Sequence, residues 1–370
     1  MSRPRPCRAS ERADWLRLIR SENVGAATFW TLLERYGSAA AALEALPELA
    51  RRGGLRRPVR VAAGDAASRE VEAAERCGAR HIFLGMADYP PVLAAIDAPP
   101  PVIMVRGDPA VLLRRGLGIV GARKASAAGR AIAGEFAAEF TAAGFVVTSG
   151  LALGIDAAAH RAALPATIAV VAGGVDKPTP EENVSLADEI IDGGAVVSEM
   201  PLGMTPYARD YPRRNRLIAG LSEAVVIVEA AAGSGSLHTA RYAANAGREV
   251  YAVPGSPKDP RAAGCLKLLR EGAGLAVDAT DVLQALRPQE MAPALPGFAE
   301  EPPPQAPGEP PADLSDRIAQ LLSVTPIAAD EIVRFADAPA GLVQAALLEL
   351  ELSGRAVREA DGSVRAALPG

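Results

Sequence analysis

Residues 211–240 read YPRRNRLIAGLSEAVVIVEAAAGSGSLHTA, and they bring several kinds of anion-binding group close together in the chain. Arg213, Arg214 and Arg216 are permanently charged planar donors whose fork geometry suits phosphate oxygens. The apolar run Ala224–Val228 then delivers Ser234, Gly235 and Ser236 to the expected start of a helix. Free backbone N–H groups and the helix dipole favour negative charge there. The ligand these residues predict is polyanionic.

Other groups have the types and spacing for chemistry. Asp156 and His160 stand at i, i+4 on an expected helix, a spacing open to paired ligands or an acid and a base. With no third ligand in view, a helix-start or packing role is the better reading. Glu199 and Glu229 follow apolar runs, where a catalytic carboxylate is open to consideration. The favoured alternative makes them structural carboxylates that pair with Arg213, Arg214 or Arg216, because a buried carboxylate needs a partner. Cys7, Cys77 and Cys265 lie far apart without a CxxC or Cys/His pairing, so neither a zinc site nor a disulfide framework is expected, and a reducing cytoplasm fits. No metal or cofactor is called for.

The elements that must position these groups follow a β-then-α rhythm. Strands are expected at 117–120, 145–148, 167–171, 195–198, 224–228 and 249–253, with helices between most of them. Continuous apolar strands indicate a parallel sheet covered on both faces, and ligands of such sheets bind at the carboxyl ends of the strands. Those ends carry small-residue turns: Gly121 to Lys124, Ser149-Gly150, Gly173-Gly174 and Gly233 to Ser236. For any one loop the glycine serves backbone geometry alone; four at one sheet edge suggest a binding surface. None is a GxGxxG or a GxxxxGK[ST] sequence, so dinucleotide binding and nucleotide hydrolysis gain no specific support.

Composition sets the outer limits. The 370 residues leave room for two or three domains, and 49% hydrophobic content supplies real cores. No run approaches the apolar length of a membrane span, and the basic N-terminus has no apolar segment behind it, so a soluble, unexported protein is expected. The net charge of −5 argues at first against nucleic acid. Much of it sits in a proline-rich stretch, where Glu290, Glu300, Glu301, Glu309 and Asp313 outweigh Arg287. The remainder is close to neutral and allows a local basic face. Aromatic content of 4%, with Tyr207 and Tyr211 near the arginines, provides no stacking platform; backbone contact with marked salt sensitivity is expected, Tyr211 stacking one base or lying in the core.

Four segments result: a helical domain over 1–79, an α/β domain over 80–286, an extended linker over 287–312 and a small domain over 313–370. The last reads as three amphipathic helices followed by a hairpin around Asp361-Gly362, a winged helix, with Val343, Leu347 and Leu350 facing inward. Its third helix offers Glu349 and Glu351 and no base until Arg355, so a protein contact or regulatory role is expected rather than duplex reading.

GIVGARKASAAGR, TSGLALGIDAAAHRAAL, YPRRNRLIAGLSEAVVIVEA, SGSLHTARYAANAGREVYAVPGSP and GCLKLLREGA resemble, in order and spacing, the bacterial DNA-processing protein A family, DprA or Smf. The resemblance covers about residues 80 to 285. It implies an α/β class fold with an extended Rossmann-like parallel sheet core, a small N-terminal helical (SAM-like) domain and a C-terminal winged helix. It further implies a homodimeric, non-enzymatic recombination mediator that binds single-stranded DNA in natural transformation and loads RecA onto it, with single-strand binding protein as a further partner. Carried over by position, Gly121, Arg123 and Ser126 form the GxRxxS turn with Lys124 beside them. Ser149 and Gly150 open the SGxAxGID segment, which runs to Asp156. The PRRNR stretch supplies Arg213, Arg214, Asn215 and Arg216, and SGSLxTA supplies Ser234, Gly235 and Ser236. Together with Gly173 and Gly174 these would line one phosphate-binding groove.

The chain departs from the family at Thr179-Pro180-Glu181-Glu182-Asn183-Val184-Ser185, which lacks an aromatic residue and a lysine, so that one DNA contact the resemblance implies is either missing or supplied by Lys177. The turn at Asn23 to Ala26 is similar to a helix-hairpin-helix turn, although a packing role is the preferred reading. Two alternatives stay open. One is a nucleotide-binding or nucleoside-monophosphate-cleaving enzyme of the lysine-decarboxylase-like Rossmann type, whose motif places a glutamate after the loop where residues 236–240 hold none. The other is a scaffold whose loops bind nothing.

Overall fold

The computed structural model describes residues 4–55, 57–286, 310–311, 313–359 and 362–367. The chain divides into two compact units, one of residues 1–69 with 299–370 and the other of 70–298.

The first unit opens with α1 (Arg12–Arg20), α2 (Ala26–Tyr36) and α3 (Ala39–Arg52). Helix-period apolar residues turn Trp15, Phe29 and Trp30 inward, where their rings meet edge to face at centroid distances of 5.0 to 5.4 Å. Ser38 caps α3 through the Ala41 amide, and Gly37 ends α2 in the left-handed conformation that glycine adopts without strain.

The second unit is the α/β body. In chain order it contains α4 (Ala66–Arg76), β1 (Ala79–Phe83), α5 (Pro91–Ala94), β2 (Val102–Gly107), β3 (Gly116–Gly121), α6 (Ala127–Ala142), β4 (Val146–Ser149), α7 (Ile155–Ala163), β5 (Thr167–Val170) and α8 (Val184–Ile191). There follow β6 (Ala195–Ser198), α9 (Asp210–Gly220), β7 (Ala224–Val228), α10 (Ser236–Asn245), β8 (Glu249–Ala252), α11 (Ala263–Arg270), β9 (Gly274–Leu275) and α12 (Ala279–Ala285). Among the described residues these strands make one nine-stranded sheet in the order β1-β2-β6-β5-β4-β3-β7-β8-β9. Pairing is parallel from β6 to β9, and β1 and β2 are antiparallel additions at one edge. The six expected strands are β3 to β8; β1, β2 and β9 are further strands that the apolar runs did not announce.

Both sheet faces are covered. Leu117, Ile119, Val147 and Val226 pack with Phe136 and Phe140 of α6, Ala159 of α7 and Val282 of α12. Met104, Ala169 and Val196 pack with Ala74 of α4 and with Leu186 and Ile190 of α8. Because β3 lies between β4 and β7, the strand order reverses at the β3/β7 pair, and the loops that leave these two strands diverge from a common point.

The first unit is completed by α13 (Leu314–Leu321), α14 (Ala329–Ala336), α15 (Ala340–Leu352) and the antiparallel pair β10 (Ala356–Arg358) and β11 (Val364–Ala366), a winged helix. Val343, Leu347 and Leu350 are fully buried as the spacing predicts. Asp361 of the expected turn and nearly all of the expected linker lie outside the described residues. The third winged-helix element, α15, is enclosed on more than its winged-helix side. Glu351 accepts hydrogen bonds from Thr28 Oγ1 at 3.0 Å and Arg358 Nε at 2.8 Å, and Glu349 accepts one from Ser315 at 2.9 Å. Asn23 of the α1–α2 turn donates to the Leu352 carbonyl at 3.1 Å, and a side chain on Gly53 would overlap the Glu349 backbone. Both glutamates are therefore interior residues of the unit, held by hydroxyl and guanidinium donors, and α15 has no free acidic face.

Candidate functional site

At the sheet's switch point, β3 feeds the turn Gly121 to Ser126 and β7 feeds residues 229–236. Gly121 lies so close to Val228 that a Cβ there would overlap the Val228 carbonyl, which fixes glycine at the strand end. Ser126 caps α6 by accepting from Gly129 N at 2.8 Å. Glu229 then fills the helix entrance: its carboxylate accepts from Ser126 N at 2.9 Å and from Ser126 Oγ at 2.5 Å, and lies against Gly129, where a Cβ would come within 2.6 Å of Glu229 Cδ. The place where doubly wound sheets receive a ligand phosphate is thus taken by one of the protein's own carboxylates.

This corrects one expectation. Glu229 does not pair with the arginine cluster, because β7 lies beside β3 and brings the residue after it to the β3–α6 turn. Glu199 does pair with the cluster. It bonds Arg216 at 2.8 Å and lies 3.8 Å from Arg213. Arg216 also donates to the Ala98 carbonyl at 2.8 Å.

The three arginines have separate fates because they lie on a helix. Arg213 and Arg216, at i and i+3 of α9, share one side and both reach Glu199. Arg214 points elsewhere and is 7% exposed; it donates to the carbonyls of Gly150 and Val170, the latter at 2.6 Å, and so caps the carboxyl ends of β4 and β5. A Cβ on Gly150 would overlap this guanidinium, which gives Gly150 a packing reason. Only Arg213, with 39% of its side chain exposed, keeps a substantial face to solvent.

Several other expected contacts turn inward. The Ser149 hydroxyl is buried and donates to the Ile119 carbonyl at 2.5 Å. Gly173 and Gly174 are buried beneath residues 201–206: Gly174 N donates to the Met204 carbonyl at 3.0 Å, and a Cβ on Gly173 would meet Pro206. Asn215 donates to the Gly235 carbonyl at 3.1 Å and ties α9 to the start of α10, where Ser234 and Ser236 share a hydrogen bond of 2.7 Å. Asp156 accepts from Gly150 N and Ala152 N at 3.1 and 3.3 Å, holding the β4–α7 turn. Burial pushes its carboxyl pKa up, against the opposing pull of Arg214, and burial likewise pushes the Arg214 guanidinium down, against the pull of Asp156. His160 lies beneath them and is pushed down to about 3 by burial, with Arg214 and Arg161 adding to the effect. Its Nδ1 donates to Thr167 Oγ1 at 2.7 Å, since the Thr167 hydroxyl is itself donated to the Val147 carbonyl. It is a neutral packing histidine.

What remains at the surface is a band of cations and hydroxyls. Arg123 and Lys124 are exposed and make no ion pair among the described residues. The Arg123 guanidinium lies 5.0 Å from the Tyr211 ring centroid, and Arg214 lies 5.9 Å from the same ring. Arg209, which the sequence reading passed over, is exposed and lies 5.4 Å from the Tyr207 ring centroid. Its signal was present in the sequence, two residues from a tyrosine and just ahead of the arginine-rich helix. Among the described residues no cluster of three or more His, Cys, Asp or Glu side chains is arranged to hold a metal, and no helix is long and apolar enough to cross a membrane.

A mixed α/β body with a Rossmann-like sheet, an N-terminal helical bundle and a C-terminal winged helix, its strand ends fringed with unpaired cations, defines the class of protein. Comparison with known proteins narrows it. Residues 80–287 match the family model for DNA recombination-mediator protein A, residues 9–73 the DprA-like N-terminal HHH domain and residues 301–362 the DprA winged helix domain. The chain is 38% identical to Protein Smf of Escherichia coli over 75% of each chain. It is 43% identical to DNA processing protein DprA of Bacillus subtilis over 46% of this chain and 58% of that one, little over half the relative's length. Its fold is similar to the X-ray structure of DprA from Streptococcus pneumoniae, with a TM-score of 0.61 and 31% identity, covering 76% of this chain and 98% of that one. It is also similar to DprA from Helicobacter pylori, whose structure was described for its single-stranded DNA binding mode, with a TM-score of 0.52 and 27% identity over 56% and 95% of the two chains. The chain belongs to the DNA recombination-mediator protein A family, DprA/Smf.

Proposed function

We propose that this protein binds single-stranded DNA along the carboxyl edge of its parallel sheet and delivers the strand to RecA. Family membership and the H. pylori relative described for its single-stranded DNA binding mode support the ligand class. The observation that carries the assignment here is that Arg123 and Lys124 are exposed and unpaired, with Arg123 against the Tyr211 ring of α9 and Arg213 of the same helix half-exposed, while the buried Arg214 and the part-buried Arg216 are already satisfied by the protein. Arg123, Lys124, Arg209 and Arg213 neutralise phosphates. Ser234, Gly235 and Ser236 add hydroxyl and backbone donors, and Ser126, whose two donors are held by Glu229, joins Arg214, Asn215, Ser149, Gly150, Gly173 and Gly174 in holding that surface in shape.

The mode of action is binding and handover in the cytoplasm by a homodimer, without catalysis or cofactor, in DNA uptake and recombination, with single-strand binding protein as a further partner. The 80–286 domain holds the strand; the 1–79 and 313–370 domains and the 287–312 linker serve assembly and regulation. Nothing favours the nucleotide-cleaving alternative, because His160 is buried and neutral and Glu229 is committed to Ser126.

Binding of a labelled, sequence-scrambled single strand and its duplex across a salt series, with and without Arg123→Glu, tests the proposal. Four exposed cations predict a log–log salt slope of about −3, from about −0.7 per phosphate contacted. Collapse of single-strand binding in the mutant supports the groove; equal and weak binding by both proteins refutes it.

A further inference from the structure

Tyr207 is 68% exposed. It is not a loose surface residue. Its N–H donates to Asp210 Oδ2 at 2.7 Å, and its carbonyl accepts from Asp210 N at 3.0 Å, so the backbone on both sides is pinned to the first turn of α9. The segment before it is fastened as well. Gly203 N donates to the Asp176 carboxylate at 2.9 and 3.0 Å, and the Met204 carbonyl receives Gly174 N at 3.0 Å. The ring thus stands on a braced loop, with the Arg209 guanidinium 5.4 Å from its centroid.

Tyr211 is in the opposite position. It is half-buried and has both Arg123, at 5.0 Å, and Arg214, at 5.9 Å, around its ring, so it serves as a platform for guanidinium groups rather than for a base. The exposed ring and its cation therefore lie one chain turn ahead of the pair that carries Arg123.

Resting on the single-strand reading above, we propose that Tyr207 and Arg209 form a one-nucleotide subsite: a base stacks on the exposed face of the Tyr207 ring while Arg209 meets the adjoining phosphate. Stacking of this kind tolerates any base, because every base has a π-face. It gives the protein a base-contacting step at a place other than the Thr179 to Ser185 segment, and it makes binding depend on bases as well as on backbone charge.

The test uses the full chain and two labelled strands of about 20 nucleotides, long enough to span a site of this kind, one of thymidines and one abasic with the same backbone. The expected result is a preference of about tenfold for the thymidine strand, the low-to-middle part of the range for one stacked base. Tyr207→Ala should remove the preference and leave affinity for the abasic strand unchanged, and Tyr207→Phe should retain it. Equal affinity of the unmodified protein for both strands overturns the subsite and leaves the DNA reading intact. An equal loss on both strands in Tyr207→Ala also overturns it, since that would mark a structural role. If the unmodified protein binds neither strand, the DNA reading itself fails and takes the subsite with it.

Discussion

Replacing Glu229 with alanine removes an internal anion from the entrance of α6. The carboxylate accepts two hydrogen bonds from Ser126, at 2.9 and 2.5 Å, and a bond to a charged acceptor contributes about 1.5 to 3 kcal/mol. Ser126 is half-buried and water can re-pair its donors in the mutant, so the lower end applies and the loss is about 3 kcal/mol. In a unit of this size that corresponds to a fall in Tm of roughly 6 to 12 °C. Glu229→Gln keeps the volume and one acceptor and should lose about half as much. Removal of the carboxylate also exposes a helix start suited to an oxyanion. Scanning calorimetry in phosphate and in chloride of matched ionic strength should therefore show phosphate restoring part of the stability of Glu229→Ala, about 1.4 kcal/mol once phosphate exceeds its Kd some tenfold. The unmodified protein, whose entrance is filled, should show no such gain. A loss below about 1 kcal/mol in Glu229→Ala, or an equal phosphate effect on both proteins, would refute the idea that Glu229 occupies a phosphate position.

Two further outcomes follow from the buried layer under the site. Gly150→Ala places a methyl group on the Arg214 guanidinium and should cost about 3 kcal/mol in chemical denaturation, less when combined with Arg214→Ala, because the two changes share one space. His160, held at about 3 when folded against an ordinary value near 6.5, takes up a proton in the unfolded chain first; its contribution is complete above pH 6.5 and falls by about 1.4 kcal/mol per pH unit towards pH 3, a slope that His160→Gln should lack in denaturation measured at several pH values.

The middle strands were legible because strands buried on both faces must be apolar throughout; Ala195–Ser198 and Ala224–Val228 fall where the runs place them. β1 was not, since ARHIF carries an arginine and a histidine, and β2 follows a run of prolines. At the site, residue types pointed to the right loops but not to which side chains face outward. RRNR reads as one charged cluster in one dimension. On a helix, about 100° between neighbours sends Arg214 to the strand ends and Arg213 and Arg216 to Glu199. The partner of Glu229 depended on β7 lying beside β3, which a linear pattern does not encode.

The hydrogen bond between Thr28 and Glu351 spans 323 positions of the chain. During synthesis at about 5 to 20 residues per second, the N-terminal helices wait roughly 15 to 65 seconds for the helix that covers them. In that interval the α/β body has time to form, because all its strands precede the winged helix in the chain. The N-terminal helices and the winged helix, which share one compact unit, therefore complete it after the sheet. A lesion in either, even a premature stop that spares the whole sheet, leaves the other without the partner that covers it.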